Sequence, residues 1–257
     1  MGPIPRDERR SDAMSSSEST IGPGWRRIHL DEVGSTNDEA RRLASEGAAH
    51  GTVVTAEHQT AGRGRQGRSW VVPAGQALTA SIVVRGGGPL LPLAAAVAVA
   101  ETAGSEARIK WPNDVLLPVG ERLGKVAGVL AEGRPAEGWA VVGIGLNVAV
   151  ELAALPPEVA ATAATLGRSP AERDAVLDEL TRQLDVALGL DPATLRERWS
   201  SRDALRGQQV RWEAPAAGDT GSGVAEGIDD DGRLRVRTDD GALRTLDAGD
   251  VHLVRGS

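Results

Sequence analysis

The sequence predicts an α+β protein in two parts, a large domain of mixed strands and helices followed by a small C-terminal β-barrel. Three observations carry this. Between residues 25 and 148, β-branched and apolar runs alternate with helical patterns. Two more helical segments follow, at 170–188 and 192–199. From residue 205 the texture changes to short strands separated by Gly/Asp turns, at the spacing of a small barrel. A boundary near Arg206 gives units at 24–205 and 206–257. Residues 1–23 are Ser, Pro, Gly and charge with almost no apolar content, and are expected to form a disordered tail.

The elements follow in order. Residues 25–33 read as a first strand. Ser35-Thr36-Asn37-Asp38 opens a helix, with Ser35 as N-cap and Asp38 at the capping-box position. Ala40, Leu43 and Ala44 form its apolar face and Gly47 ends it. Strands are expected at 52–58 and 77–85, the second broken by Gly86-Gly87-Gly88-Pro89, and a buried Ala-rich helix at 91–103. A short strand at 108–111 is stopped by Pro112 and resumes at 114–117. After a hairpin turn at 118–122 come two apolar strands, 126–132 and 139–148. Ser169 caps the helix from 170, and Asp191 the helix from 192, each with proline in the first turn. The barrel strands are expected at 209–213, 223–228, 234–238 and 243–246.

Composition narrows the function. Cys is absent, which excludes disulfides and thiol chemistry and fits a reducing compartment. No apolar run reaches the ~18–20 residues of a membrane span, and no apolar signal segment opens the chain. The net charge of −7 argues against general affinity for nucleic acid or anionic lipid. Of 29 basic side chains only two are Lys, Lys110 and Lys125. A chain that writes Arg almost everywhere has kept a compact, re-aimable ammonium at two places. Asn is equally sparse (Asn37, Asn113 and Asn147), and Phe and Tyr are missing.

Four segments can carry chemistry. Gly62-Arg63-Gly64-Arg65-Gln66-Gly67-Arg68 puts three glycines and three arginines in seven residues, ahead of Trp70. It reads as a flexible solvated loop or as a closure over an anion. The phosphate-loop pattern is absent, and G-x-G-x-x-G is present without the helix a dinucleotide site needs. Lys110-Trp111-Pro112-Asn113-Asp114-Val115 could hold Mg²⁺ or a polyphosphate, or be only a turn. In Gly124-Lys125-Val126-Ala127-Gly128, the ammonium starts an apolar strand, where it could stabilise charge developing on a phosphoryl or carboxyl oxygen. The bland alternative is an ordinary strand-end lysine. Gly143-Ile144-Gly145-Leu146-Asn147 is a glycine-punctuated strand, suggesting close packing of another backbone, with Asn147 able to reach a phosphate or a metal-bound water. His29, His50, His58 and His252 show no metal spacing.

The order of these segments is more specific than any one of them. AEHQTAGRGRQGRSW, KWPNDV, GKVAGVLAE and GIGLNV, with STND before them, resemble the biotin protein ligases over about residues 25–255. GVAEGIDDDGRLRV and AGDVHLVR resemble the family's SH3-like C-terminal unit. No helix-turn-helix is expected ahead of the first strand, so the resemblance is to the ligases lacking an N-terminal DNA-binding domain. It implies a class II aminoacyl-tRNA-synthetase-like mixed sheet with helices, plus the SH3-like barrel. It also implies a two-step reaction: biotin and ATP give biotinyl-5′-AMP, and a lysine of a biotin carboxyl carrier domain then displaces AMP. Lipoate–protein ligases and octanoyl transferases share the fold and are the alternative, but lack the GRGRxGR segment.

Carried over residue by residue, the resemblance assigns biotin to Ser35, Thr36, Asn37, Gln59, Gly62, Arg63, Gly64, Arg65, Trp70, Lys125, Gly128, Gly143 and Gly145. It assigns ATP to Arg63, Arg65, Arg68, Trp70, Asn113, Lys125 and Asn147, with Trp70 close to the adenine. Lys125, Arg65, Asp114 and Lys110 would be catalytic, Asp114 taking the nucleophile's proton or holding Mg²⁺. The implied partner is the carrier domain of acetyl-CoA carboxylase or a related carboxylase. No nucleic acid or membrane is expected, and a cytoplasmic monomer or homodimer is. One departure is plain: pocket positions aromatic in many relatives are Val or Leu here, leaving packing to Trp70, Trp111 and aliphatic side chains.

Overall fold

A computed structural model describes residues 16–214, 219–247 and 250–253. The β-branched runs assemble into one eight-stranded sheet. Its strands in chain order are β1 (Ser16–Thr20), β2 (Arg26–Val33), β3 (Thr52–Gln59), β4 (Ala77–Arg85), β5 (Arg108–Lys110), β6 (Asp114–Val119), β7 (Arg122–Arg134) and β8 (Trp139–Asn147). They lie side by side as β1-β2-β3-β4-β8-β7-β6-β5. Helix α1 (Thr36–Ser45) connects β2 to β3 and lets them run parallel. Every other neighbouring pair is antiparallel, so the sheet is mixed.

Strand alternation gives the sheet two unlike faces. Val53, Ile82, Val84, Val142, Ile144 and Leu146 share a large core with α2 (Leu91–Ala103). Ten of the 13 residues of α2 are buried, so it is apolar all round rather than striped, and it packs between the sheet and α4 (Arg173–Leu188). On the opposite face, Ala40 and Ala44 of α1 pack on Leu30, Val54, Val83 and Val141 in a much smaller core. That core stops where α1 begins, and the candidate site starts there.

The remaining helices are α3 (Pro157–Ala160) and α5 (Pro192–Ser200). Asp191 caps α5 by accepting from the Ala193 and Thr194 N–H groups at 3.0 and 3.1 Å. Ser169 and Glu172 form a capping box over a short 3₁₀ turn that leads into α4. The C-terminal unit contains β9 (Gln209–Ala214), β10 (Asp219–Ile228), β11 (Leu234–Thr238), β12 (Leu243–Leu246) and β13 (Asp250–Leu253), in the order β12-β11-β10-β9-β13. Among the described residues β12 and β13 do not pair, so the SH3-like unit is an open antiparallel sheet rather than a closed barrel. It shares its core with the large domain: Val210, Trp212 and Val236 belong to the same cluster as Ile109 and Trp199. Buried Trp111 donates from Nε1 to the Gly232 carbonyl at 3.0 Å, tying the two together.

One expectation fails locally. Residues 16–20, assigned to a disordered tail, form β1, an edge strand with every residue exposed. Its register runs from Ser16 against Leu30 to Thr20 against Arg26. The cause is not local composition but the row of backbone donors and acceptors that β2 presents at the sheet edge. Residues 1–15 lie outside the described residues. Among the described residues no helix is long and apolar enough to cross a membrane.

Candidate active site

The site begins at the first turn of α1, where Ser35, Thr36 and Asn37 are all buried. The side-chain amide oxygen Oε1 of Gln59, at the end of β3, accepts from Thr36 N–H at 2.8 Å and from Thr36 Oγ1 at 3.0 Å. Gln59 therefore supplies from another strand an acceptor for the first N–H of the helix, one of the donors left without an intrahelical partner. Ser35 makes no side-chain capping bond, and Asp38 does not close a capping box. Asp38 instead accepts from Arg63 at 2.6 Å. For Asp38 the reason is tertiary: Arg63, from the Gly/Arg segment, claims its carboxylate.

Ser81 of β4, fully buried, lies 2.8 Å from Thr36 Oγ1 and 2.6 Å from Asn37 Oδ1. Thr36 spends its proton on Gln59, so the Ser81 proton serves one of the two oxygens at a time. Asn37 Nδ2 donates to Glu132 Oε2 of β7 at 2.8 Å. The result is a neutral hydrogen-bonding pocket end whose groups are oriented by one another. Gly143, directly across from Ser81 in register, leaves the room that the Asn37 amide occupies; a Cβ there would overlap it.

The floor continues along β8. Gly145 is paired with Gly128 of β7, and the Trp70 indole lies on this bare patch. A Cβ at Gly145 would overlap the ring, so these glycines make space for side chains, not for the second backbone the sequence suggested. Lys125 Nζ stands 5.6 Å from the centroid of the same ring, within cation–π range.

The Gly/Arg segment folds over this floor. Gly64 N–H donates to the Arg68 carbonyl at 2.7 Å, Trp70 N–H to that of Gly62 at 3.0 Å, and Arg63 bridges to Ser69. Between them is a 3₁₀ turn, Arg65–Gly67, with Gln66 in the left-handed region at φ 55°. The segment is an internally bonded turn, with Arg63, Gln66, Gly67, Arg68 and Ser69 exposed on its outer side.

At the far end of the cleft charge takes over. Lys125 Nζ is 2.7 Å from Asp114 Oδ1. Lys110 is opposite Asp114 in the β5–β6 pair. Burial pushes the Lys110 ammonium below its ordinary range; Asp114 opposes this, while Lys125 and Arg68 add to it. Burial also acts against the Arg65 guanidinium, with Asp114 opposing and Arg68 assisting, but arginine stays protonated. One carboxylate thus faces several cations, a set suited to hold polyanionic oxygens.

The cleft encloses about 120 Å³ and opens toward a groove of about 980 Å³ that shares Arg68, Asp114 and Lys125 with it and reaches His252 of β13. The first volume is well under the ~300–1,000 Å³ of a drug-sized site. A ligand the size of an acyl-adenylate therefore needs both spaces, or a shift of the turn carrying Trp70.

The pattern of the Biotin/lipoate A/B protein ligase family matches residues 31–148, and that of the biotin protein ligase C-terminal domain matches residues 206–254. The chain is 35% identical to the biotin–[acetyl-CoA-carboxylase] ligase of Mycobacterium tuberculosis, over 96% of this chain and 95% of that protein. The chain belongs to the biotin protein ligase family. Its similarity to the same-named ligase of Paracoccus denitrificans is 36% over 81% of this chain and 92% of that one. The biotin protein ligase of Aquifex aeolicus, solved in complex with biotin and ATP, superposes with a TM-score of 0.73 at 27% identity, covering 90% of this chain and 99% of that one.

Within this family frame, most of the residues singled out in the sequence line one cleft: Ser35, Thr36, Asn37, Gln59, Arg63, Gly64, Arg65, Arg68, Trp70, Asn113, Asp114, Lys125, Gly128, Gly143 and Gly145. Gly62 lies just behind, against Gln59 and the Trp70 carbonyl. Lys110 faces the adjoining groove rather than the cleft. Asn147 is not brought in: its Nδ2 donates to the Ala164 carbonyl at 2.9 Å, and it does not line the cleft. Trp111 packs toward the C-terminal unit. Sequence reasoning missed Ser81 and Glu132. Two hydroxyls, Thr79 and Ser81, interrupt the apolar run 77–84 and were the available signal for Ser81, and Glu132 closes GKVAGVLAE, a motif read for Lys125 and Gly128.

Proposed function

We infer that the protein is a biotin–protein ligase, which joins biotin to ATP and passes the biotinyl group to a lysine of a biotin carboxyl carrier domain. The observation carrying this is the polarity of the cleft: a neutral end built on Thr36, Asn37, Gln59 and Ser81, and a cationic end built on Arg65, Arg68 and Lys125, with Lys110 in the adjoining groove. A ligand with an uncharged urea at one end and a carboxylate at the other matches both.

In the first step a biotin carboxylate oxygen attacks the α-phosphorus of ATP and pyrophosphate leaves. Two anions must approach, and Lys125, with Arg65 and Arg68, offsets their repulsion. In the second step an acceptor amine attacks the acyl carbon, and AMP leaves from the mixed anhydride. Asp114 is the carboxylate placed to take the amine proton, provided Lys125 turns from it to the substrate oxygens. The turn carrying Arg63 and Trp70 keeps water from the anhydride in the interval.

Mg²⁺ is usually held by one or two carboxylates plus substrate phosphates. Among the described residues no group of three or more His, Cys, Asp or Glu side chains gathers as a metal site, but the lone Asp114 suits that mode. It would hold the ion, which supplies charge neutralisation on the phosphates. A chain without Cys fits a reducing compartment, which together with the use of ATP supports a cytoplasmic location.

Mass spectrometry of a biotin carboxyl carrier domain, after incubation with the protein, biotin and Mg-ATP, tests the reading. Addition of one biotinyl group at a single lysine is expected. Modification with lipoate but not biotin would overturn it.

A further inference from the structure

Glu132 is used by nothing in the mechanism above, yet it stands where the two halves of the site meet. It lies near the end of β7, in register with Val141, and is half-buried. Its Oε2 accepts from Asn37 Nδ2 at 2.8 Å, and the same oxygen is 3.6 Å from Arg63 Nη2. Its Oε1 is 3.6 Å from Arg41. Arg63 belongs to the Gly/Arg turn, and the same Nη2 donates to Asp38 Oδ1 of α1 at 2.6 Å. One carboxylate therefore touches the floor of the cleft through Asn37 and the lid through Arg63.

The two contacts do different work. Asn37 is 4% exposed and rests on Gly143, where its amide has no room to turn freely. Flanked by Ser81 at Oδ1, the amide is fixed in orientation only if Nδ2 meets an acceptor, and Glu132 is that acceptor. The Arg63 contact is electrostatic and solvent-facing. Together with Asp38 it ties the turn to α1 and β7, elements that do not belong to the loop itself.

We propose that Glu132 is a positioning residue with two separable jobs: it orients the Asn37 amide at the neutral end of the cleft, and with Asp38 it latches the lid through Arg63. The first job rests on reading that end as the biotin site; the second does not. Asn37 and Arg63 are the groups that meet ligand or cover it, and Glu132 acts only through them.

Three variants separate the jobs. Glu132→Gln keeps an acceptor for Asn37 but removes the charge facing Arg63. Glu132→Ala removes both. Asp38→Asn weakens the latch alone. Two readouts are needed: the rate of tryptic cutting after Arg63, Arg65 and Arg68 without added ligand, and the biotin Kd from calorimetry. All three variants are expected to be cut several-fold faster than wild type. Biotin affinity is expected to fall about tenfold in Glu132→Ala and to be largely retained in Glu132→Gln and Asp38→Asn.

Wild-type cutting rates in all three variants would overturn the latch. A biotin Kd in Glu132→Gln as weak as in Glu132→Ala would overturn the orienting role. A wild-type chain that binds no biotin would overturn the functional reading, while the cutting rates would still decide the latch.

Discussion

Ser81 and Ile82 are consecutive residues of β4, and Gly143 and Ile144 of β8, yet each pair is split between two environments. Ile82 and Ile144 enter the apolar core beneath α2. Ser81 and Gly143 face α1, where the space is filled by hydroxyls, an amide and the edge of the cleft. The α2 face is held by volume, and the α1 face by who donates to whom and by side chains that are absent. Mutations on the two faces should therefore fail in different currencies: stability on one, ligand affinity and rate on the other.

Lys125→Arg probes the cleft end most severely. A guanidinium cannot sit as a compact point charge between Asp114 and the Trp70 ring. Adenylate formation in a single turnover should fall by roughly 10²-fold or more, with the unfolding midpoint nearly unchanged. A wild-type rate would remove the case for a special ammonium.

On the core face, Ile82→Ala should cost about 2–5 kcal/mol in urea unfolding, since Ile82 is fully buried among the α2 contacts. Its folded fraction should bind biotin as wild type does. Next door, Ser81→Ala should cost only about 1 kcal/mol of stability but weaken biotin more than ATP in the Michaelis constants. If the two neighbours gave the same profile, the division between faces would collapse.

The smallest effect expected is one of pH. Burial, reinforced by Lys125 and Arg68 against the pull of Asp114, lowers the Lys110 ammonium's pKa from its ordinary 10.5. A lowered pKa means the charge is present below the folded-state value and is lost as pH rises through it, earlier than for a free lysine. The Michaelis constant for ATP should therefore climb on the alkaline side, and Lys110→Arg should flatten that limb.

Much of this was legible because strands and buried helices announce themselves by period: the runs at 52–58, 77–85, 91–103 and 139–148 became elements within a residue or two. Ordered motifs likewise marked the segments that meet in the cleft. What escaped depends on partners that the local pattern does not reveal. β1 exists because β2 has an open edge. Asp38 reads as a capping residue until Arg63, 25 positions later, is seen to hold it. Ser81 and Glu132 are isolated polar residues whose meaning is set by Asn37 of α1. Asn147 reads as a ligand-facing amide, but the Ala164 carbonyl claims it.

The central claim is that one cleft activates biotin with ATP, and acid-dependent exchange of labelled pyrophosphate into ATP tests it most directly. Exchange that requires biotin and is not supported by lipoate is the predicted result. Exchange with lipoate alone, or none with biotin while the protein remains folded, would contradict it.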